Sequence, residues 1–193
     1  VVGPDVAPAR HDHVDLALAN GNIVRYRDPR RFGLMLWQRG DPLAHKLLRD
    51  IGPEPFTEAF NAQWLHAQTR ARSGAIKTVL MDQRRIAGIG NIYANEALWR
   101  ARIRPQRPAS SLTAAEARAL HRESVRVLAL AVAQRGTSFR DYQDPYGGRG
   151  GFLGLAKVYA REGEPCVRCG RPLSKTVVAG RGTTYCFYCQ RRS

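Results

Sequence analysis

From Val1 to about Gln38 the chain alternates apolar and polar residues in the strand period, and from Asp41 onward the apolar repeat becomes helical. His13-Val-Asp-Leu-Ala-Leu and Ile23-Val-Arg-Tyr flank Asn20-Gly21-Asn22, which predicts a hairpin closed by an Asn-Gly turn. A second turn at Asp28-Pro29 leads into Phe32-Gly-Leu-Met-Leu-Trp37, a further predicted strand. A hairpin and one strand cannot bury a sheet face alone. The opening Val1-Val2-Gly3-Pro4 also reads as mid-strand, so this segment is expected to end a larger β structure.

The helical stretch divides at its punctuation. Asp41 to Asp50 predicts a short helix before the break at Gly52-Pro-Glu-Pro, and Thr57 to Ala71 and Ser73 to Met81 follow. Asn91 to Ala101 comes after a glycine-rich turn and is closed off by Pro105 and Pro108. Thr113-x-x-Glu116 is a capping box opening a long helix, with Leu120, Ser124, Val127, Leu128 and Ala131 on one face and Gly136 past its end. Residues 137 to 156 are glycine-rich and are expected to form a mobile loop.

Beyond that loop, Arg171-Pro-Leu-Ser-Lys-Thr-Val-Val, Gly180-Arg181-Gly182 and Thr183-Thr-Tyr-Cys predict a second hairpin with an arginine at its tip. The hairpin is bracketed by Cys166-x-x-Cys169 and Cys186-x-x-Cys189, sixteen residues apart, and the chain has no other cysteine. Two such pairs match the four corners of a tetrahedral zinc site, so one structural Zn2+ is expected. Two disulfides are the competing use of four cysteines. No signal peptide is read in the sequence, and the metal site is preferred.

The 193 residues carry a formal charge of +15 with a pI near 10.6, and arginine dominates lysine. That balance predicts a polyanionic partner, nucleic acid first, because neutralising phosphates releases counterions. Arginine grips phosphate bidentately and stacks on bases. An anionic membrane surface is the competing partner. However, the longest apolar run, Val127 to Ala133, is too short to span a bilayer and lies inside an amphipathic helix. The expectation is a soluble, cytoplasmic, nucleoid-associated monomer.

Three constellations carry candidate chemistry. Ala87-Gly88-Ile89-Gly90-Asn91 turns between two helices; it fits an anion site with Asn91 as an added donor, or a plain helical hairpin with an asparagine cap. The neighbouring Arg84 and Arg85 tilt it toward phosphate. In Asp28-Pro29-Arg30-Arg31-Phe32-Gly33, an arginine and an aromatic two apart point to one side and suit a wedge in a base stack. The alternative, a basic turn before a core phenylalanine, is favoured on the residues alone. Arg181 between two glycines suits a phosphate across a groove, or is a solvated loop charge. His45, His66 and His121 read as surface or core histidines, and Glu54, Glu58, Glu116 and Glu123 as solvated or capping carboxylates. Trp64 and Trp99 read as core, and Arg191 and Arg192 as a charged tail.

Taken together these pieces resemble the formamidopyrimidine-DNA glycosylase and endonuclease VIII family of base-excision repair enzymes. The resemblance runs nearly end to end. It is carried by Arg10-His-Asp-His-Val-Asp-Leu, Asp28-Pro-Arg-Arg-Phe-Gly, Leu80-Met-Asp-Gln, Gly88-Ile-Gly-Asn-Ile-Tyr-Ala-Asn-Glu-Ala-Leu-Trp, Val158-Tyr-Ala-Arg-Glu-Gly-Glu-Pro-Cys and Gly180-Arg-Gly-Thr-Thr-Tyr-Cys. It implies an α+β fold in three parts. Residues 1–40 would end an N-terminal β-sandwich, 41–152 form a helix–two-turn–helix domain with a lesion-capping loop, and 153–193 form a zinc β-hairpin finger.

The resemblance also implies roles. Asn91 would grip phosphates beside the lesion, and Arg30 and Phe32 would fill the void left by a flipped base, with a methionine of the same wedge upstream of Val1. His11, Arg72 and Lys77 would contact DNA near the flipped nucleotide. Arg181 would hold the lesion's phosphates and take a catalytic part in the final elimination. The implied partner is double-stranded DNA with an oxidised base or an abasic site. The implied reaction is excision of 8-oxoguanine or formamidopyrimidine and β,δ-elimination. The intercalating pattern Arg30-Arg31-Phe32 favours the formamidopyrimidine branch, while the glycines of the loop from Asp144 to Leu155 leave lesion choice open.

In this family the nucleophile is the amine of an N-terminal proline followed by glutamate, which forms a Schiff base with the sugar. The sequence in hand starts Val1-Val2-Gly3-Pro4-Asp5, and an internal proline nitrogen is an amide without a nucleophilic lone pair. These 193 residues are therefore expected to bind DNA but to be inactive alone, as a portion of a glycosylase. One rival is a non-catalytic zinc module that binds damaged DNA. The other, a zinc ribbon of the ribosome or transcription apparatus, explains charge and cysteines but not the ordered motifs from His11 to Trp99.

Overall fold

The computed structural model describes residues 1–138, 144 and 147–190. Strands β1 (Asp12–Ala17) and β2 (Ile23–Arg27) form an antiparallel hairpin, with Asp15 opposite Arg25 and Leu16 opposite Val24. Its turn is the predicted one: Gly21 adopts φ +83°, and Leu18 N–H donates to the Asn22 carbonyl. Arg25 laces the hairpin to the preceding segment, donating to both Asp15 oxygens and to the carbonyls of Val6 and Ala7.

The strand expected at Phe32 to Trp37 does not form; among the described residues no strand pairs with it, and Phe32 and Trp37 are 77% and 92% exposed. Without a ladder partner an extended segment gains no hydrogen bonds. The helix expected from Asp41 to Asp50 shrinks to one 3₁₀ turn, Pro42–Ala44, capped by Asp41. Its apolar positions, Leu43, Leu47 and Leu48, meet no core and stay exposed, so nothing rewards continuing the helix.

Four α-helices follow: α1 (Ala62–Arg70), α2 (Ile76–Met81), α3 (Asn91–Arg100) and α4 (Ala114–Ala133). Helix α1 starts later than its apolar pattern predicts because the Asn61 side chain accepts the Trp64 N–H and fixes the N-terminus there. Helix α2 also starts late, since Gly74 and Ala75 are drawn into extended pairing with Pro108 and Ala109. The capping box on α4 is present as read. Glu116 serves it twice over, also taking a two-toothed ion pair from the buried Arg107, which holds its carboxyl below the ordinary value.

The main core lies where α1, α3 and α4 meet, around Leu65, Ile76, Leu80, Leu98, Leu120 and Phe152. His66 and His121 are tied to it by contacts with the Leu112 and Phe60 carbonyls. A second antiparallel hairpin, β3 (Ser174–Val178) and β4 (Arg181–Tyr185), closes the described chain. Its turn is Ala179-Gly180, both with positive φ, so Arg181 is the first residue of β4 rather than the middle of the turn. A small second core of Trp99, Val158, Cys166, Leu173 and Cys186 joins this hairpin to the helices. Residues 139–143 and 145–146 of the glycine-rich loop, and Arg191 and Arg192 of the tail, lie outside the described residues.

Helix α3 is buried at six consecutive positions, Ala94 to Trp99, and one of them is an acid. The Glu96 carboxylate has no exposed surface and accepts the backbone N–H groups of Lys157, Val158 and Tyr159 at 2.8–2.9 Å. Glu96→Ala removes the acceptor of the buried Val158 N–H and of its two part-buried neighbours, at about 1–3 kcal/mol for a fully buried donor and less for the others. We expect it to cost ~3 kcal/mol in urea unfolding and to lower Tm by roughly 6–12 °C.

Candidate nucleic-acid interface and metal centre

Each cysteine pair sits in a tight knuckle. Gly170, with φ +73°, lets its N–H return to the Cys166 carbonyl, and Gln190 N–H returns to that of Cys186. The four sulfurs lie within 4.8 Å of one another, with Cys169–Cys186 at 3.6 Å and Cys166–Cys189 at 4.0 Å. A tetrahedral ion with Zn–S bonds of ~2.3 Å requires sulfur separations of ~3.8 Å, so the donor set fits zinc once its widest pairs draw in slightly. The thiols also crowd one another electrostatically. Burial and the neighbouring sulfurs push Cys189 up to about 12. At Cys166 burial opposes ionisation but is outweighed by hydrogen bonds led by the Arg168 N–H, which bring it to about 7. A central cation resolves that conflict by favouring all four thiolates.

The second knuckle is fastened to the helical body by residues that sequence reasoning missed. The buried Gln190 side chain accepts the Cys186 N–H and donates to the Ile103 carbonyl. Arg104 donates to the Phe187 and Gln190 carbonyls and stacks 4.3 Å from the Phe187 ring centroid.

Three of the anticipated site residues meet at the start of β4. Asn91 Nδ2 donates to the Gly182 carbonyl at 3.1 Å. Lys77, fully buried, directs its ammonium at the Gly182 carbonyl and the Thr183 hydroxyl instead of at solvent. Arg181, next to them, is exposed. Burial, and then the Arg181 charge, lower Lys77 to about 8 from its ordinary 10.5.

Asn91 does not cap α3; Gly90 is the cap residue, and no side chain covers the end. The first N–H groups of α3 thus keep their free valence at the positive end of the dipole. The preceding turn is shaped by Gln83, whose side chain accepts the Gly88 N–H and donates to the Ile89 carbonyl, while Gly88 takes φ +75°. Of the two flanking arginines, Arg84 is exposed and Arg85 folds back on Asp82 and Gln68.

The remaining candidates lie apart from this cluster, with no hydrogen bond to it among the described residues. After β2, Asp28 organises a compact loop: its oxygens accept the N–H groups of Arg30 and Gly33 and the Tyr26 hydroxyl. The Gly33 N–H holds its carboxyl below the ordinary value. Gly33 has no room for a Cβ, which would collide with the Tyr26 hydroxyl. The loop presents Arg30 and Phe32 together in solvent, the guanidinium 4.7 Å from the ring centroid. Phe32 is therefore not a core residue. His11, at φ +81°, accepts the Asp28 N–H through its carbonyl and so shares this loop. Arg72 is exposed just beyond α1.

Lys77 gives a pH dependence with a definite sign. Between about 8 and 10.5 the unfolded chain holds a proton that the folded chain has released. Stability contributed by this group therefore rises with pH across that window. Urea midpoints of the zinc-loaded protein are expected to show this rise relative to Lys77→Met. Parallel pH curves for the two proteins would mean that the ammonium is not desolvated.

A family model described as the formamidopyrimidine-DNA glycosylase H2TH domain matches residues 51–143, and one described as the zinc finger found in FPG and IleRS matches residues 163–192. The formamidopyrimidine-DNA glycosylase of Syntrophotalea carbinolica is 46% identical over 191 residues, 99% of this chain and 70% of the relative. The crystal structure of the MutM (Fpg) protein from Thermus thermophilus superposes with a TM-score of 0.85 at 46% identity, covering 97% of this chain and 71% of that one. MutM in complex with DNA containing carbocyclic 8-oxo-G gives a TM-score of 0.86 at 34% identity, covering 98% of this chain and 69% of that one. By its fold, its cysteine centre and identity along almost its whole length, this chain belongs to the formamidopyrimidine-DNA glycosylase family.

Proposed function

We propose that this protein acts in DNA base-excision repair, binding duplex DNA that contains an oxidised base or an abasic site. Within the full catalytic unit it serves excision of oxidised purines, 8-oxoguanine and formamidopyrimidine, and cleavage of the abasic site by β,δ-elimination. The observation that carries the reading is the Asn91–Gly182 hydrogen bond, which fastens the open end of α3 to the fingertip beside Arg181. That junction combines an uncapped helix N-terminus with an exposed guanidinium, two complementary ways to hold a phosphate.

In this reading Arg30 and Phe32 enter the stack and fill the space of the flipped nucleotide, with the stacking energy of an aromatic on a base offsetting the cost of flipping. Asn91 and Arg181 hold the phosphates beside it, and Arg181 stabilises negative charge in the elimination. His11 and Arg72 add contacts near the flipped nucleotide. Lys77 contributes through the fingertip it supports. Zinc, held by Cys166, Cys169, Cys186 and Cys189, supplies no chemistry to the substrate and fixes the finger's shape. Residues 1–40, 41–152 and 153–193 are the proposed β-sandwich end, helix–two-turn–helix domain and finger. The contribution proposed for these residues is recognition of the lesion and grip on the phosphates beside it.

Asn91→Ala and Arg181→Ala are each expected to weaken binding of an abasic-site duplex roughly tenfold, the scale of one lost hydrogen bond to a charged group. Arg181→Ala should also reduce the slope of log affinity against log salt by about one and leave zinc bound. An unaltered slope would remove Arg181 from the phosphate contacts. Borohydride trapping of the 193-residue polypeptide on the same duplex is expected to give binding without a covalent adduct. A trapped adduct would show that another amine in this sequence forms the Schiff base.

A further inference from the structure

Arg104 lies just beyond the end of α3 and is 6% exposed. Its side chain reaches the second knuckle from outside. Nη2 donates to the Phe187 carbonyl at 2.6 Å and Nε to the Gln190 carbonyl at 3.2 Å, and these two residues directly follow Cys186 and Cys189. The guanidinium carbon is 4.3 Å from the Phe187 ring centroid and 5.8 Å from that of Tyr185. The first knuckle carries a cation of its own. Arg168, between Cys166 and Cys169, donates to the Trp99 carbonyl at 3.0 Å and stacks 4.2 Å from that residue's ring centroid. Neither guanidinium meets a carboxylate among the described residues.

A guanidinium cannot release its proton on burial as an ammonium can, so a nearly enclosed one needs negative charge close by. Carbonyl dipoles and aromatic faces supply part of it at Arg104. The cysteine centre supplies the rest when it holds a divalent ion, because four thiolates outweigh that ion by two charges. We infer that Arg104 and Arg168 are the counter-ions of the zinc-loaded centre, one for each knuckle. Their charge stabilises the thiolates and strengthens metal retention from outside the coordination sphere. Arg104 belongs to the helical body, so that body takes part in holding the metal as well as in docking the finger. Were Arg104 only a clamp on backbone carbonyls, its charge would be irrelevant to the sulfurs.

Arg104→Met and Arg104→Lys separate the two roles, because both lose the planar fork and only the lysine keeps the charge. The full chain, parent and variants, is loaded with zinc and challenged with a chelator, then reconstituted with Co2+ for absorption spectroscopy. For Arg104→Met the expected result is roughly tenfold weaker zinc retention and a thiolate-to-cobalt charge-transfer band displaced to longer wavelength, since sulfurs deprived of a nearby cation give up electron density more readily. Arg104→Lys should keep the band at its parental position. An unchanged band in Arg104→Met overturns the assignment, whatever the affinity, because a lost clamp would then account for any weakening. Equal displacement in both variants overturns it too, since charge would not be the cause. Should Arg104→Met not fold, the less buried Arg168→Met is read in the same way, and an unchanged band there is equally decisive. Failure of the parent protein to bind cobalt would overturn the metal reading and this inference with it. Repair activity enters none of these readouts, so its failure would be seen separately in duplex binding.

Discussion

The Glu96 carboxylate, buried in the middle of α3 and closed over by three successive backbone N–H groups, is the interaction on which the rest depends. A charge removed from water is costly unless every oxygen is engaged. Residues 157–159 therefore must run past α3 in one register and at one height. That places the first knuckle against Trp99, the hairpin alongside α3, and the fingertip over Asn91 and Lys77. Lys77, Asn91 and Arg104, from three parts of the helical body, then reach finger carbonyls that could not be in range in any other register.

The charge distribution follows the same logic. Several acids in this chain are engaged by neighbouring groups: Asp15 by Arg25, Asp28 by its own loop, Asp82 by Arg84 and Arg85, Glu116 by Arg107 and the α4 cap. Arg30, Arg72 and Arg181 are left facing solvent. The formal excess of +15 therefore leaves these guanidinium groups free of a carboxylate partner among the described residues, at the places where the site residues stand.

Much of this was legible in the chain. The cysteine spacing, the Asn-Gly turn and the Thr113–Glu116 box are local signals, and each appears where it was read. What failed was the extent of elements whose fate is decided by partners distant in sequence. Phe32 to Trp37 has strand composition but no strand beside it, and the leucines of 43–48 have helical spacing but no core. The starts of α1 and α2 were misplaced because Asn61 and the Gly74–Pro108 pairing set them. Glu96, Gln83, Arg104 and Gln190 were overlooked, since their partners lie on other segments. Only Glu96 left a trace: an acid within Ala94-Asn-Glu-Ala-Leu-Trp is out of place on a buried helix unless something needs its charge.

The turn at Ala179-Gly180 has a consequence for how readily the finger engages a phosphate. Because both turn residues take left-handed conformations, the reversal is complete before Arg181, which is paired across the ladder with Val178. An arginine in a four-residue loop would surrender backbone as well as side-chain freedom on meeting its anion. Arg181 has already given up the backbone share on folding, and only its side-chain rotamers are left to order. In the proposed reading the fingertip would meet DNA with much of its entropy loss already incurred, during folding of the finger.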